Sequence, residues 1–271
     1  MELLKKYTRS MKKLFKGKST EEEPTIKIKN IRIPGLKIKC LLGVGFQGRA
    51  YKATYKNQVV CAKRYTCFEY AKQESDMLEA AQKSCSVPKI FKKFINKKQN
   101  VILMELVEGQ DLLSLFKDNS ISTELMHQII YKIMVALEDL HSTGIIHNDI
   151  KEDNIMVNIE DNCSVKIIDL GKATVAGGTP YKHYFMGDNH LDPTLENGGQ
   201  CSKITDLFSL GKMMIRIYER APDKYMFEKI KKYGEMLLAH KGNQFDATDL
   251  LADNCECCAL DNCSVNLKKT C

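Results

Sequence analysis

Three side chains with complementary chemistry fall within one stretch of eight residues, from His147 to Asn154. Asp149 offers a carboxylate base, Lys151 an ammonium group for a phosphate, and Asn154 an amide oxygen for a metal ion. An apolar run of helical period precedes the stretch and a short apolar run follows it, which predicts a loop between a helix and a strand. Phosphoryl transfer needs these groups together, because its catalysis consists mostly of positioning and charge neutralisation. The alternative is a polar surface loop whose Asp and Asn serve turn geometry.

The length and composition indicate a globular protein with a large core. At 271 residues, the chain fits one large domain or two lobes better than several modules. Its hydrophobic content of 44% and charged content of 28% are ordinary for such proteins. No apolar run approaches the roughly 18 residues of a membrane span, and the first residues lack the apolar core of a signal peptide. We therefore expect an intracellular location, in the cytoplasm or nucleus.

The 11 cysteines are scattered along the chain. Six of them fall singly in apolar contexts, which suits reduced core thiols rather than a disulfide framework. These six are Cys40, Cys61, Cys67, Cys85, Cys163 and Cys201. The other five lie in residues 255–271, at a spacing that is not a standard zinc site. Free thiols in a loose Cys-rich tail are expected there, with metal binding or acylation as the alternative.

The net charge of +7 comes almost entirely from the first 18 residues, which carry seven basic side chains and a single acid, Glu2. The apolar residues of this segment share one face at helical spacing, and residues 19–24 read as a linker. A basic amphipathic helix of this kind either packs on the main domain or contacts a membrane surface or a partner groove. Because the excess charge is so localised, we expect no nucleic-acid partner.

A glycine-rich turn follows the first strand-like segment, in which Leu36, Ile38, Cys40 and Leu42 alternate with polar or small residues. Its sequence is Gly43-Val44-Gly45-Phe46-Gln47-Gly48, and glycines at this spacing let backbone amides approach phosphate oxygens. Dinucleotide-binding folds use a similar spacing, but they open a helix directly and place an acid about 20 residues later. Here the chain continues as strand and Lys63 occupies that position, which favours a glycine-rich hairpin followed by a strand lysine.

Four motifs in order resemble the signature set of eukaryotic protein kinases. They are the three glycines, the strand ending in Lys63, the loop from His147 to Asn154, and Asp169-Leu170-Gly171. The Asp-x-Lys-x-x-Asn arrangement of the loop is similar to that of serine/threonine kinases. The resemblance extends from about Leu36 to Gly211.

The resemblance implies an α+β, bilobal protein-kinase-like fold. A small antiparallel-sheet lobe would extend to about residue 106, and a mainly helical lobe would begin at about residue 110. The kinase domain would cover residues 25–254. Only 60 residues follow Gly211, so the helical lobe is expected to be shortened at its C-terminal end. Such a short C-terminal region would suit a compact member of the family, including one encoded by a large DNA virus and acting in the host cell.

The resemblance also implies roles for the catalytic residues. Asp149 would accept the proton of the substrate hydroxyl, and Lys151 would steady the transferring γ-phosphate. Lys63 would hold the α- and β-phosphates of the nucleotide, and Glu74 in the next predicted helix would hold Lys63, with Glu79 as the alternative. Magnesium would be bound by Asn154 and Asp169. His147 would be a core histidine of the loop.

The nucleotide-binding residues implied by the resemblance surround the phosphates and the adenine. Met104 would close the back of the adenine pocket, while the backbone of Glu105 and Val107 would hydrogen-bond the base. The full set is Leu42, Gly43, Val44, Gly45, Phe46, Gln47, Gly48, Arg49, Ala50, Cys61, Lys63, Met104, Glu105, Val107, Asp111 and Met156.

The chain departs from the family pattern at informative positions. Asn148 stands where the family commonly has an arginine that pairs with a phosphate on the activation segment, which suggests activity without that switch. Thr194 replaces a structural glutamate, and no arginine follows Arg220 to pair with it. The resemblance places the activation segment at residues 172–191. Its candidate phosphorylation sites are Thr174, Thr179 and Tyr181.

The expected function is an ATP- and Mg²⁺-dependent serine/threonine protein kinase that acts on a protein hydroxyl. One alternative is a pseudokinase, a nucleotide-binding scaffold without turnover. Another is a kinase-like phosphotransferase for a small molecule, which the altered segment at Asp192-Pro193-Thr194 permits.

Overall fold

An antiparallel sheet of five strands forms the first lobe of the protein. The structure is a computed structural model and describes residues 33–96, 99–117, 121–179, 190–196, 198–221 and 223–239. The strands are β1 (Leu36–Val44), β2 (Gly48–Tyr55), β3 (Gln58–Tyr65), β4 (Ile90–Asn96) and β5 (Gln99–Met104), in the order β1-β2-β3-β5-β4. Lys56 and Asn57 take positive φ between β2 and β3, as a tight hairpin turn requires.

The helix α1 (Phe68–Ala80) crosses this sheet and continues as a single 3₁₀ turn, Ala81–Lys83. Its buried positions are Ala71, Glu74, Ser75 and Leu78, which recur at the spacing of one helical face. A carboxylate on an otherwise small and apolar face needs a buried cation as partner. Lys63 on β3 is this partner.

The second lobe is built on α3 (Thr123–Ser142), which follows the short helix α2 (Leu112–Lys117). Most apolar residues on one face of α3 are fully buried in the largest core of the described residues, and Leu125 and Met134 pack against that core partly buried. Ser122 caps α3 by accepting a hydrogen bond from the Leu125 amide. The remaining helices are α4 (Pro193–Glu196), α5 (Lys203–Arg220) and α6 (Lys224–Leu238).

Two small sheets between the lobes carry the loops that matter for chemistry. The strands β6 (Gln110–Asp111), β8 (Ile155–Asn158) and β9 (Ser164–Ile167) form one, and β7 (Ile145–Ile146) pairs with β10 (Thr174–Val175) in the other. The loop from His147 to Asn154 leaves β7 and returns through a 3₁₀ turn into β8. A second 3₁₀ turn, Leu170–Lys172, links β9 to β10.

The predicted α+β, bilobal fold is confirmed, with an antiparallel first lobe and a helical second lobe. The alternation predicted for β1 breaks near its end, because irregularities at Ile38/Cys40 and Leu41/Gly43 shift its register against β2. Leu42 is therefore 48% exposed. Cys85 is disulfide-bonded, which corrects its assignment as a reduced thiol, while the other five described cysteines are free.

The predicted N-terminal helix and the Cys-rich tail lie outside the described residues. Within the described ranges, no helix is long and apolar enough to cross a membrane.

Asp206 on α5 anchors the loop that follows β7. Its carboxylate is completely buried and accepts hydrogen bonds from the amides of His147 (2.7 Å) and Asn148 (2.8 Å). It also contacts the His141 imidazole at 2.9 Å. Buried backbone amides need partners, so this carboxylate fixes the path of the loop.

We expect Asp206→Ala to lower the free energy of unfolding by about 3 kcal/mol or more, because two buried amides lose their charged acceptor. Urea denaturation would measure the change. The control is Asp223→Ala, which removes an exposed helix cap that accepts from Tyr225 and Met226, and should cost about 1 kcal/mol. Equal losses in the two variants would contradict the anchoring role.

Candidate active site

The glycine-rich turn joins β1 to β2 at the edge of the cleft between the lobes. The Gly45 amide donates to the Gly48 carbonyl at 2.9 Å, which closes the turn. A Cβ atom added to Gly43 or Gly45 would meet no atom within 4 Å, so both leave open space for a ligand. A Cβ atom on Gly48 would lie 2.1 Å from the Arg64 carbonyl oxygen. Gly48 is therefore required by the close approach of β2 and β3, rather than by the ligand.

The tip of the turn has two contacts with the rest of the cleft. The Gln47 side chain is buried and donates to the Gly171 carbonyl at 3.1 Å. Phe46 is 82% exposed, with its ring centroid 5.9 Å from that of Tyr70 on α1. Of the residues predicted in this turn, Gln47 thus faces the cleft, and Phe46 lies over α1.

Lys63 joins three elements through its ammonium group. It lies 2.7 and 2.8 Å from the two carboxylate oxygens of Glu74 on α1, and 2.9 Å from an Asp169 oxygen beyond β9. Glu79, the alternative partner, is half exposed and pairs with Lys93. The structure therefore brings together Lys63, Glu74 and Asp169.

The charges of this cluster are strongly coupled. Burial raises the pKa of the Glu74 carboxyl to about 7, against the opposing effect of Lys63. Burial alone would lower the pKa of the Lys63 ammonium, but Asp169 and Glu74 together raise it well above its usual range. Lys63 accordingly stays charged. Tyr65, which is buried, lies beside the pair, with its ring centroid 5.4 Å from the Lys63 ammonium.

Asp149 lies in the loop anchored by Asp206 and receives four side-chain contacts. Oδ2 is 3.0 Å from the Lys151 ammonium and 3.1 Å from Asn154 Nδ2. Oδ1 is 3.1 Å from the Lys172 ammonium and 3.0 Å from His190 Nε2. Burial would raise the pKa of this carboxyl, but the hydrogen bond from His190 and the two lysines hold it well below its usual range. Asp149 is therefore an ionised group positioned to accept a hydrogen bond.

The amide of Asn154 is oriented for a cation. Its nitrogen donates to the backbone carbonyl of Asp149 at 2.8 Å as well as to Oδ2, so its oxygen is left for another ligand. Asp169 adopts the left-handed conformation (φ 66°), and its Oδ1 accepts from the Gly171 amide at 3.3 Å. Lys63 lowers the pKa of Asp169 against the effect of burial, so this carboxylate is ionised too.

These two oxygen donors fit Mg²⁺, which prefers oxygen ligands and keeps several waters and phosphate oxygens in its shell. The described ranges contain no group of three or more His, Cys, Asp or Glu side chains that could hold a metal by themselves.

The predicted adenine pocket lies where β3 meets β5. Cys61 is paired with Met104 in the sheet, and Ala50 is paired with Lys63 on the other side of β3. The Glu105 amide donates to the Lys89 carbonyl at 2.8 Å, so only the carbonyl of Glu105 is left to bind a base. Burial raises the pKa of the Cys61 thiol to about 11. The thiol is therefore uncharged, and Cys61 contributes a neutral side chain to this region.

Other predicted nucleotide contacts have structural partners or exposed positions. Asp111 accepts two hydrogen bonds from Ser114, which cap α2, at 2.8 and 2.7 Å. Met156 on β8 is half-buried, whereas Val44 and Arg49 near the hairpin are exposed. A cavity of about 310 Å³ includes Val107. It lies at residues 105–108, directly after β5, and none of the phosphate-handling residues lines it. Its lining residues are Glu105, Leu106, Val107, Glu108, Asn158, Asp161, Ser164 and Lys166.

Where the sequence departs from the family pattern, other contacts of the structure replace the missing acid–arginine pair. The Thr194 hydroxyl and amide donate to Asp192 Oδ1 at 2.7 and 2.8 Å, so the Asp192 carboxylate caps the start of α4 and the Thr194 side chain bonds locally instead of to a distant arginine. A different acid–arginine pair holds the second lobe: Arg216 donates two bonds to Glu152, at 2.9 and 2.8 Å. Glu152 lies directly after Lys151, so the pair ties the catalytic loop to α5 a second time.

Sequence reasoning missed two residues at Asp149, namely Lys172 and His190. Lys172 directly follows Asp169-Leu170-Gly171, and that adjacency was a signal for its position near the cleft. His190 lies 41 residues after Asp149, and no local pattern connects the two. Their contact depends on the fold of the segment after β10.

Comparison with known proteins agrees with this geometry. A family model described as "Protein kinase domain" matches residues 36–251. A probable serine/threonine-protein kinase of Dictyostelium discoideum is 26% identical over 235 residues, which are 81% of this chain and 21% of that protein. A serine/threonine-protein kinase of Debaryomyces hansenii is 26% identical over 198 residues, 67% of this chain and 17% of that protein. The similarity therefore covers only a small part of each relative's length.

We expect Gly48→Ala to lower the free energy of unfolding by about 1–3 kcal/mol, because the added Cβ atom must displace the backbone of β3. The matched controls are Gly43→Ala and Gly45→Ala, which have open space and should change stability by less than about 1 kcal/mol. The midpoint of urea denaturation measures all three. A Gly48→Ala variant as stable as the controls would disprove the steric assignment.

Proposed function

This chain belongs to the protein kinase domain family, and on that premise we propose that it is an active serine/threonine protein kinase. It would transfer the γ-phosphate of ATP, with Mg²⁺, to a serine or threonine hydroxyl of a protein substrate. The observation that supports this most strongly is the position of the Lys63 ammonium group, which lies 2.7 Å from a Glu74 carboxylate oxygen and 2.9 Å from an Asp169 carboxylate oxygen. This ion cluster and the separate ionised base Asp149 favour turnover over a scaffold that only binds the nucleotide.

Each group of residues in the cleft has its own role in the proposed reaction. Lys63, held by Glu74, binds the α- and β-phosphates and orients the nucleotide. Asn154 and Asp169 would hold Mg²⁺, which neutralises charge on the phosphates when bound. Lys151 lies beside the base and would neutralise charge on the γ-phosphate. The turn with Gly43 and Gly45 covers the phosphates with backbone amides.

Asp149 accepts and orients the substrate hydroxyl. As the hydroxyl oxygen bonds to the γ-phosphorus, the bond from that phosphorus to the β,γ-bridging oxygen breaks and ADP leaves. The hydroxyl proton passes to Asp149. The low pKa of this carboxyl suits orientation of the hydroxyl and late proton transfer, because phosphoryl transfer develops little negative charge on the attacking oxygen early on. Lys151 two positions after Asp149 is the arrangement on which the serine/threonine assignment rests.

Asp149→Asn tests the proposal, because the amide removes the charge and one acceptor oxygen while keeping the size of the side chain. With labelled ATP and Mg²⁺, the wild-type protein should phosphorylate itself or a generic protein substrate. We expect the variant to lose at least about 100-fold in rate. Asp161→Asn, an exposed acid in the turn before β9, is the matched control and should retain activity.

The outcomes separate the alternatives. Nucleotide binding without any phosphate transfer by the wild-type protein would support the pseudokinase. Labelling of small hydroxyl compounds alone would support a small-molecule phosphotransferase. Equal incorporation by Asp149→Asn would remove the role assigned to Asp149.

A second proposal concerns activation, and Asn148 carries it. Its side-chain nitrogen donates to the Lys172 carbonyl at 3.1 Å and to the Thr174 hydroxyl at 3.0 Å. Its backbone takes a positive φ of 60°, which asparagine tolerates better than most residues. A neutral amide thus makes the link between catalytic loop and activation segment that an arginine and a phosphate would otherwise make. Thr174 itself is buried in this contact, whereas Thr179 is exposed and Tyr181 lies outside the described residues.

We therefore expect the kinase to retain its activity, within about twofold, after complete dephosphorylation. Mass spectrometry of residues 172–191 would verify that no phosphate remains, and initial rates before and after phosphatase treatment would be compared. Asn148→Ala should reduce the rate about tenfold in both preparations, because both bonds to the activation segment are lost. Loss of activity on dephosphorylation that returns on incubation with ATP would contradict the proposal.

A further inference from the structure

His190 reaches the catalytic loop from a segment that lies 41 positions after Asp149. Its Nε2 atom is 3.0 Å from Oδ1 of Asp149, and its side chain is only 10% exposed. An ionised carboxylate can accept hydrogen bonds but cannot donate them. Because Asp149 is ionised, Nε2 of His190 donates in this contact, which assigns a proton of the ring to that nitrogen.

The residues that follow His190 fix its backbone beside the catalytic loop. Asp192 is completely buried, and its carboxylate accepts from the amide and the hydroxyl of Thr194 at 2.8 and 2.7 Å. Leu195 belongs to a buried cluster that contains Ile146, the last residue of β7. The segment that carries His190 is therefore anchored twice, next to the strand from which the catalytic loop leaves.

The two oxygens of the Asp149 carboxylate have different neighbours. Oδ2 lies 3.0 Å from the Lys151 ammonium and 3.1 Å from the Asn154 amide, the groups assigned to the γ-phosphate and the metal ion. Oδ1 lies against His190 and Lys172, which both come from the chain after β9. A nucleotide bound by the assigned groups would therefore lie on the Oδ2 side of the base.

Nucleotide binding would change the contacts of Oδ2 and leave the bond from His190 in place. Once Lys151 turns to the γ-phosphate, Oδ2 regains an acceptor position that a substrate hydroxyl can fill. The carboxylate must then be kept from rotating about its Cβ–Cγ bond, a torsion with a broad preference. The Lys172 ammonium on Oδ1 ends a flexible stem, whereas the imidazole of His190 is a rigid ring on an anchored backbone. His190 is therefore the group best suited to prevent that rotation.

We propose that His190 is a positioning residue for phosphoryl transfer: its N–H group holds Oδ1 of Asp149, so that Oδ2 faces the substrate hydroxyl beside the γ-phosphate. His190 acts through Asp149 and takes no part in binding the nucleotide. Because it belongs to the segment 190–196, the base takes its orientation only when that segment is packed against β7. This inference rests on the proposed kinase activity.

His190→Ala tests the proposal, because it removes the N–H group that holds Asp149. We expect kcat to fall about 30-fold, the effect of one lost hydrogen bond to a charged group, while KM for ATP changes by less than about twofold. His190→Gln places an amide N–H group near the position of Nε2 and should lose less than about threefold in kcat. Initial rates with labelled ATP, Mg²⁺ and a generic protein substrate measure both constants.

Free imidazole gives a readout that a merely structural role would not change. It fits the space that His190→Ala opens beside Asp149, and it supplies an N–H group to Oδ1. We expect it to raise kcat of this variant at least about threefold and to leave the wild-type rate unchanged. The matched control is His127→Ala, which truncates a buried histidine on α3, a helix that carries none of the residues assigned to the reaction. Imidazole should not stimulate this control.

The remaining outcomes would overturn the inference. A His190→Ala variant with the wild-type kcat would remove the positioning role, and a faster variant would show that His190 blocks the base. A loss of rate that neither His190→Gln nor imidazole restores would assign His190 to the fold alone. In each of these cases the wild-type protein still transfers phosphate, so the proposed function stands. Absence of transfer by the wild-type protein would refute the proposed function and this inference together.

Discussion

The ion cluster around Lys63 is the interaction on which the rest of the site depends. One ammonium group holds a carboxylate from α1 and another from the segment after β9, and so fixes the sheet, the helix and the second lobe relative to each other. Glu74 is fully buried, and burying a charge is costly unless it is paired; its partner Lys63 lies 2.7 Å away. Because Asp169 is also a candidate metal ligand, the same contacts that assemble the lobes prepare the site for a nucleotide.

A second buried charge organises the opposite wall of the cleft. Asp206 holds the amides of His147 and Asn148, and the Glu152–Arg216 pair ties the same loop to α5 a few residues later. The loop is thus fixed on both sides of Asp149. Two non-glycine residues of the site, Asn148 and Asp169, take positive φ, a costly conformation that persists because neighbouring bonds determine it. The Asn148 side chain donates to the Lys172 carbonyl, and the Asp169 carboxylate accepts from the Gly171 amide two residues later.

The surroundings of Asp149 connect catalysis with the proposed activation without a phosphate. Lys172 contributes its side chain to Asp149 and its carbonyl to Asn148, so the residue after Asp169-Leu170-Gly171 meets the catalytic loop at two points. The neutral Asn148 contact can order this segment without a phosphate.

The sequence by itself determined the order and spacing of the motifs, because these depend on local side-chain types, and the resemblance that they carry implied the two-lobe architecture and the phosphate-handling residues. It also favoured Glu74 over Glu79, since the apolar residues around Glu74 place it on the inward face of α1. Only the tertiary structure decided which further groups meet at Asp149. Lys172 and His190 are brought to one oxygen by the path of the chain after β9, and the Glu152–Arg216 pair joins residues 64 positions apart. Contacts of that kind arise from the packing of distant segments, for which a single sequence contains no periodic or local signal.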